Sequence, residues 1–301
     1  MDSIRPVVEQ ATRVLARRWP HAYLGQALSF QIVEVMGPRV DTETRVARLP
    51  GGARLAVTLR DYALRQLYFR GSRNTARGWL YEPETTRLIF KWLRPGDTFV
   101  DIGANAGYYT AIAGSIVGPS GRVHAFEPNP LVATLLQKTV ELNRYQDRSD
   151  VNALAVTSTG APVEIFRPID PGATGATTTV PLESDLVLPG LTVPSITLDA
   201  YVEMKGIQTI RLMKIDVEGA ELDVLAGASR TLEIIQPEGI LCEFFPRVLP
   251  DPEGAWKRLL AATRPYGYQP SIVSSSGELT PSDGRMPAWA VGNVCLTRAG
   301  A

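Results

Sequence analysis

A strand that ends in a glycine loop and feeds straight into a helix has few folds open to it, and this chain contains that unit twice. The first copy begins after the turn Pro95-Gly96. Thr98-Phe99-Val100 is apolar and β-prone, Asp101-Ile102-Gly103-Ala104-Asn105-Ala106-Gly107 is the loop, and Ala111–Val117 has helical spacing. The second copy runs Ile210–Ile215 as a strand, then Asp216-Val217-Glu218-Gly219, then a helix over Ala220–Gly227. Gly103 and Gly107 carry no Cβ, so the backbone can turn sharply and approach a ligand, while the following helix offers free N–H groups at its start. Such a loop suits a nucleotide-like cofactor, and in an open α/β sheet ligands bind at the carboxyl ends of the strands.

The spacing selects among cofactors. Here an acid precedes the first glycine, as Asp-x-Gly-x-x-x-Gly, whereas dinucleotide enzymes use Gly-x-Gly-x-x-Gly. That favours S-adenosylmethionine over NAD. Arg122-Val123-His124-Ala125-Phe126-Glu127 reads as the next strand, and Pro128 and Pro130 stop it before the helix Leu131–Asn143. A carboxylate at that tip can take both hydroxyl protons of an adenosine ribose, so Glu127 is the ribose candidate; the plainer reading is a solvated acid in a turn. Together the two runs point to a methyltransferase.

Val100–Thr110, Ala125–Pro130, Thr197-Leu198-Asp199 and Lys214–Glu221 resemble, in content, order and spacing, the FkbM family of S-adenosylmethionine-dependent methyltransferases. The resemblance spans roughly residues 81–245, and its most specific part is Lys214-Ile215-Asp216-Val217-Glu218-Gly219-Ala220-Glu221. It implies O-methyl transfer to a hydroxyl of a small molecule, such as a polyketide, a sugar or another secondary metabolite. One departure is Ala153, where such proteins often place Asn; here Asn152 stands one residue earlier.

Composition sets bounds. The 301 residues are 45% hydrophobic, enough for one large core, and 31 Lys and Arg balance 31 Asp and Glu, which gives no long-range attraction for nucleic acid. Arg13, Arg17 and Arg18 form the one basic cluster. Cys242 and Cys295 lie in apolar strand-like runs and are expected as buried, reduced thiols that cannot assemble a zinc site. With neither a signal peptide nor a membrane span in the sequence, the expectation is a cytoplasmic protein, with self-association left open.

Ahead of the first glycine loop, residues 4–18 have amphipathic helical spacing, and Leu28–Met36 and Arg54–Leu59 alternate as short strands flanking the turn Leu49-Pro50-Gly51-Gly52. Residues 1–80 are therefore expected to cap a catalytic domain over 81–301. Glu82, in Tyr81-Glu82-Pro83-Glu84, is a candidate for the cleft, since similar proteins carry an acidic run here. Helix-start chemistry explains Glu82 equally well, and explains Glu84 better.

The reaction needs in-line attack by a substrate oxygen on an activated methyl, so the protein must position the partners and help remove a proton. Only His21 and His124 are present, and His124 sits inside a strand. The base candidates are therefore Asp216, Glu218 and Glu243, the last in Gly239–Phe245, which reads as the fifth strand. Asp216 and Glu243 could instead hold one magnesium ion that acidifies the substrate hydroxyl. Lys214 shares the strand face of Asp216 and is expected to pair with it. The cofactor set is Glu82, Asp101, Gly103, Asn105, Gly107, Tyr109, Glu127 and Asp216, with Asp101, Gly103, Asn105 and Gly107 shaping the methionine end.

Between Thr157 and Ser195 the strand–helix rhythm breaks into a segment rich in Gly, Pro and Thr, expected as a substrate loop or lid. Helix Ala255–Thr263 and a last strand, Trp289–Leu296, complete the expected fold: a Rossmann-like, seven-stranded class I methyltransferase sheet of α/β type, with an antiparallel edge and an N-terminal cap. Two other readings stay open. One is a non-catalytic S-adenosylmethionine-binding module; the other is a nicotinamide-dependent oxidoreductase, which would need a glycine motif absent here.

Overall fold

The computed structural model describes residues 43–70, 80–170, 172–180, 187–244, 251–282, 284–286 and 292–298. The expected helix over 4–18 with its arginine cluster, the strand over 28–36 and His21 lie outside the described residues.

The front of the described chain is β1 (Arg45–Arg48), β2 (Arg54–Val57) and helix α1 (Tyr62–Arg70). Helix α2 (Pro83–Trp92), β3 (Thr98–Ile102), α3 (Tyr108–Val117), β4 (Arg122–Phe126), α4 (Pro130–Asn143) and β5 (Ser149–Asn152) follow. An inserted region holds β6 (Ala155–Val156), β7 (Val163–Ile165), β8 (Leu191–Val193) and β9 (Ser195–Ile196). The chain then continues through α5 (Leu198–Lys205), β10 (Leu212–Ile215), α6 (Glu221–Ala226) and β11 (Gly239–Phe244). It closes with α7 (Pro252–Thr263), β12 (Tyr268–Val273), β13 (Leu279–Pro281) and β14 (Gly292–Arg298).

The main sheet has the order β13-β12-β14-β11-β10-β3-β4-β5. Strands β5, β4, β3, β10 and β11 are parallel, while β14 runs antiparallel to both β11 and β12. The expectation of seven strands is corrected to eight, because β13 turns back on β12 through the polar turn at Ser274–Gly277 and pairs Val273 with Leu279. Its Pro281 sits on an open edge, where the missing N–H costs no ladder bond.

Alternation in the buried strands splits the core into two layers. Phe99, Val123, Leu212 and Leu241 face α1–α3, whereas Val100, Met213, Ile215, Ile240 and Cys242 face α5–α7. Each fully buried Leu, Ile or Phe contributes roughly 1.5–3 kcal/mol to holding the layers together. The helices start where the sequence supplies caps: the Asn129 side chain accepts from Leu131 N, Thr197 from Ala200 N and Asp251 from Gly254 N.

The β1–β2 hairpin does not sit over the strand tips as a cap. It lies along α4, where Ala56 N donates to Thr139 Oγ1 (3.0 Å) and Arg54 N to Asn143 Oδ1 (2.8 Å). From the described front region, only Ala63, Leu64 and Leu67 of α1 reach the cleft. Among the described residues no helix is long and apolar enough to cross a membrane.

Candidate active site

Register builds the site. Ile102 is opposite both Phe126 and Ile215, and Ile215 is opposite Cys242. One residue further along each strand, Gly103, Glu127, Asp216 and Glu243 therefore fall in one row at the carboxyl edge. The row is crowded at Gly103, which has φ +81°: a Cβ there would lie 1.8 Å from the Asp216 carbonyl oxygen. Glycine is what allows β3 and β10 to end side by side.

Glu127 is buried and lines the cleft. Its Oε2 accepts from Asn105 N at 3.0 Å and its Oε1 from Asn129 N at 2.9 Å, so the carboxylate is fixed while each oxygen keeps capacity for another donor. Burial, opposed by these two bonds, pushes its pKa up to about 7. Phe126, Leu154, Ala155 and Val156 add an apolar wall. Asn152 does not reach into this space: its amide donates to Ala125 O and to the Tyr201 hydroxyl (both 3.1 Å).

Two of the expected cofactor residues lie behind the cleft wall. Asp101 is buried under the loop and takes the Thr110 hydroxyl at 2.6 Å, and burial pushes its pKa up to about 6. Gly107, with φ +92°, opens α3, and a Cβ there would meet Leu136 Cδ1 at 2.7 Å. Both residues shape the loop through packing rather than by lining the cleft. Gly103, Asn105 and Tyr109 do line the cleft.

At the other side of the row, Asp216, Glu218 and Glu243 bring carboxylate oxygens within 4.8 Å of one another. Lys214, buried in β10, forms an ion pair with Asp216, as the shared strand face predicts. Burial opposes charge on both members of this pair. Even so, Lys214 holds Asp216 below the usual carboxylate range, while Asp216, Glu82 and Asp101 hold the ammonium above its usual range. Burial and the Asp216 hydrogen bond push Glu243 strongly upward, so Glu243 carries the proton in the bond to Asp216. Glu218 sits on the rim with φ +54°, its pKa raised to about 7 by desolvation and by Asp216. Glu221 accepts from Val217 N and Gly219 N and serves the helix start.

Glu82 is the N-cap of α2 in a left-handed conformation (φ +38°), and its Oε2 accepts the Tyr109 hydroxyl at 2.7 Å. Lys214 Nζ lies 4.8 Å over the Tyr109 ring, so Glu82, Tyr109, Lys214 and Asp216 form one continuous wall. His124 is away from the row, buried between Tyr201 (3.0 Å) and Asp150 (3.1 Å).

The described residues of the 157–195 insertion are held by two small ladders, β6–β9 and β7–β8, and send a 3-10 turn, Thr174–Ala176, to the cleft. It is tied down on three sides. Thr174 N and Oγ1 donate to buried Asp61 (3.2 and 2.5 Å), Asn129 Nδ2 donates to Thr177 Oγ1 (3.3 Å), and the Thr178 hydroxyl donates to Glu218 O (2.8 Å). Thr174, Gly175, Thr177, Thr178 and Thr179 all line the cleft. The Thr-rich composition marks this loop in the sequence. No local signal marks Asp61, whose partner is 113 residues away.

Compared with known families, residues 101–270 match the family model for the Methyltransferase FkbM domain, more than half of the chain. The chain belongs to the FkbM methyltransferase domain family. Among curated relatives, this FkbM-domain chain is 31% identical over 160 residues to 31-O-demethyl-FK506 methyltransferase FkbM of Streptomyces tacrolimicus, covering 45% of this chain and 60% of that protein. It is 28% identical over 154 residues to hexuronic acid methyltransferase AglP of Haloferax volcanii, covering 51% and 59%. The chain thus spans about three fifths of the length of these relatives. Among solved structures, methyltransferase FkbM of Methylobacillus flagellatus aligns at 16% identity and a TM-score of 0.44, over 98% of this chain and 58% of that one. The FkbM match takes in Asp101–Tyr109, Glu127, Asp216, Glu218 and Glu243, whereas Asp61, Tyr81 and Glu82 come from outside it.

Proposed function

We propose that this protein transfers a methyl group from S-adenosylmethionine to a hydroxyl of a small molecule. The observation that carries this reading is the single row of Gly103, Glu127, Asp216 and Glu243, which puts a ribose-type acceptor and a proton acceptor at opposite ends of one cleft. The residues fit the cofactor. Glu127 has free acceptor capacity on both oxygens for a ribose diol, the Gly103 loop leaves close approach open, and the apolar wall at Phe126 and Leu154–Val156 suits an adenine ring.

When bound, S-adenosylmethionine supplies a methyl on a positively charged sulfur leaving group. The acceptor hydroxyl donates to Asp216, which Lys214 keeps ionised and in place. As the new C–O bond forms, the hydroxyl proton becomes strongly acidic, so even a weakly basic carboxylate takes it. Glu243, protonated and bonded to Asp216, stabilises the charge on that base beforehand. Glu82 and Tyr109 fix Lys214 from behind, and the 157–195 insertion closes the cleft as a lid on a catalytic unit spanning 81–301. The buried thiols of Cys242 and Cys295 support a reducing, cytoplasmic setting.

A second reading gives Asp216, Glu218 and Glu243 to one magnesium ion, supported by the 4.8 Å grouping of their oxygens. Lys214 already supplies a cation to Asp216, which favours the metal-free arrangement. One relative is named for 31-O-demethyl-FK506 and the other for a hexuronic acid, so the acceptor is not assigned from them. The test is calorimetric titration with S-adenosylhomocysteine and with NADH, with and without magnesium. Micromolar binding of the first alone is expected; binding of NADH alone, or of neither, refutes the proposal.

A further inference from the structure

We infer that the acceptor end of this cleft takes an uncharged polyol and excludes molecules with a carboxylate or phosphate beside the reacting hydroxyl. The inference rests on the methyl-transfer reading above and adds the chemical class of the acceptor.

Charge is the first support. Asp216, Glu218 and Glu243 crowd their carboxylate oxygens within 4.8 Å, and Glu82 stands on the same wall. Among the described residues lining the cleft, Lys214 is the one cation, and it is engaged by Asp216 and packed on the Tyr109 ring. Because Lys214 balances Asp216 and Glu243 holds a proton, the uncompensated member of the cluster is Glu218; an anionic group about 5 Å from its ionised carboxylate, at an effective dielectric of about 20, is disfavoured by more than about a hundredfold.

Hydrogen-bond polarity is the second, independent support. Four hydroxyl protons that border the cleft are committed inside the protein: Tyr109 to Glu82, Thr174 to Asp61, Thr177 to Thr174 O, and Thr178 to Glu218 O. What these four hydroxyls and the neighbouring carboxylates still offer a ligand is lone pairs. A ligand must therefore bring donors, which a run of free hydroxyls does and an acid group does not. The described residues that the insertion places at the cleft are Thr and Gly only, so they add no charge to this balance.

The test uses methyl hexopyranosides as neutral probes and the matched methyl hexuronosides as acidic ones, with radiolabelled S-adenosylmethionine, full-length protein and EDTA present. S-adenosylhomocysteine binding is measured in parallel. At least about thirtyfold higher kcat/KM for the neutral members is expected. Glu218→Gln should narrow that gap several-fold. Equal or better transfer to the acidic members, or a gap that Glu218→Gln leaves unchanged, overturns the inference. So does absence of transfer to the neutral members while S-adenosylhomocysteine still binds. Transfer that appears only when magnesium replaces EDTA gives the carboxylates to a metal and overturns it too. Loss of S-adenosylhomocysteine binding itself would instead sink the underlying methyl-transfer reading.

Discussion

Glu127 links burial, protonation and cofactor binding in one residue. In the free protein its pKa is pushed up to about 7, chiefly by burial, so at neutral pH about half of the molecules carry a proton there. The ribose diol needs the ionised form, because only that form accepts both hydroxyl protons while also accepting from Asn105 N and Asn129 N. Binding therefore has its full strength above pH 7 and weakens as the pH falls. From pH 8 to pH 6 the ionised fraction drops about tenfold, and Kd should rise by about the same factor. Glu127→Gln removes the titration and leaves a single acceptor oxygen, so one charge-assisted bond is lost. At about 1.5–3 kcal/mol, that is about 10- to 150-fold weaker binding at pH 8, with a flat profile between pH 6 and 8. The assay is calorimetric titration with S-adenosylhomocysteine at three pH values for both proteins. A flat profile for the natural protein, or the same slope in the variant, would refute the reasoning. The sign for stability runs the other way: the raised pKa favours the protonated carboxyl in the folded state, so the free protein loses stability as pH rises from the ordinary carboxyl range through about 7. Thermal melts of Glu127→Gln should show that loss reduced.

Asp216→Asn removes the proton acceptor, so kcat should fall about 10²–10⁴-fold, whereas Glu243→Gln keeps a neutral donor for Asp216 and should leave kcat within about tenfold; unchanged kcat in Asp216→Asn would remove Asp216 from the chemistry. In Asp61→Ala, Thr174 loses both of its bonds to the α1 side of the cleft, which should raise the acceptor KM and expose residues 172–180 to protease while cofactor affinity holds; equal protease resistance would show that the loop is anchored elsewhere. Gly103→Ala puts a Cβ 1.8 Å from the Asp216 carbonyl at a positive φ, and about 2–5 kcal/mol of destabilisation should appear as a lower urea midpoint. A midpoint equal to the natural protein's would mean that β3 and β10 can separate freely at that row.

Much of the sheet could be read from the chain because its signals are local. Apolar runs ending in Gly103 and Gly219, the stop at Pro128 and Pro130, and the alternation that puts Lys214 on the face of Asp216 all act within a few residues. The eighth strand was not legible for the same reason. Leu279-Thr280-Pro281 is short, half exposed and contains a proline, and only its pairing with Ser271–Val273 makes it a strand. A strand was legible at Arg54–Val57, but its partner Arg45–Arg48 was not, and nothing in Arg54–Val57 says that the hairpin lies on α4 rather than over the cleft.

The sequence by itself determined which residues end the strands and what chemical groups they carry: a glycine loop, a carboxylate after the second strand, and acids after the fourth and fifth. Tertiary structure alone decided that Asp101 and Gly107 stand behind the wall while Glu127 and Asp216 face the cleft. It also decided that Glu243 stands beside Asp216, with its pKa pushed upward by burial and by that neighbour, and that Asp61 holds the Thr174 turn. The physical reason is range. Turn chemistry and strand alternation depend on neighbours in the chain, whereas desolvation, charge coupling and register depend on which distant segments are brought alongside.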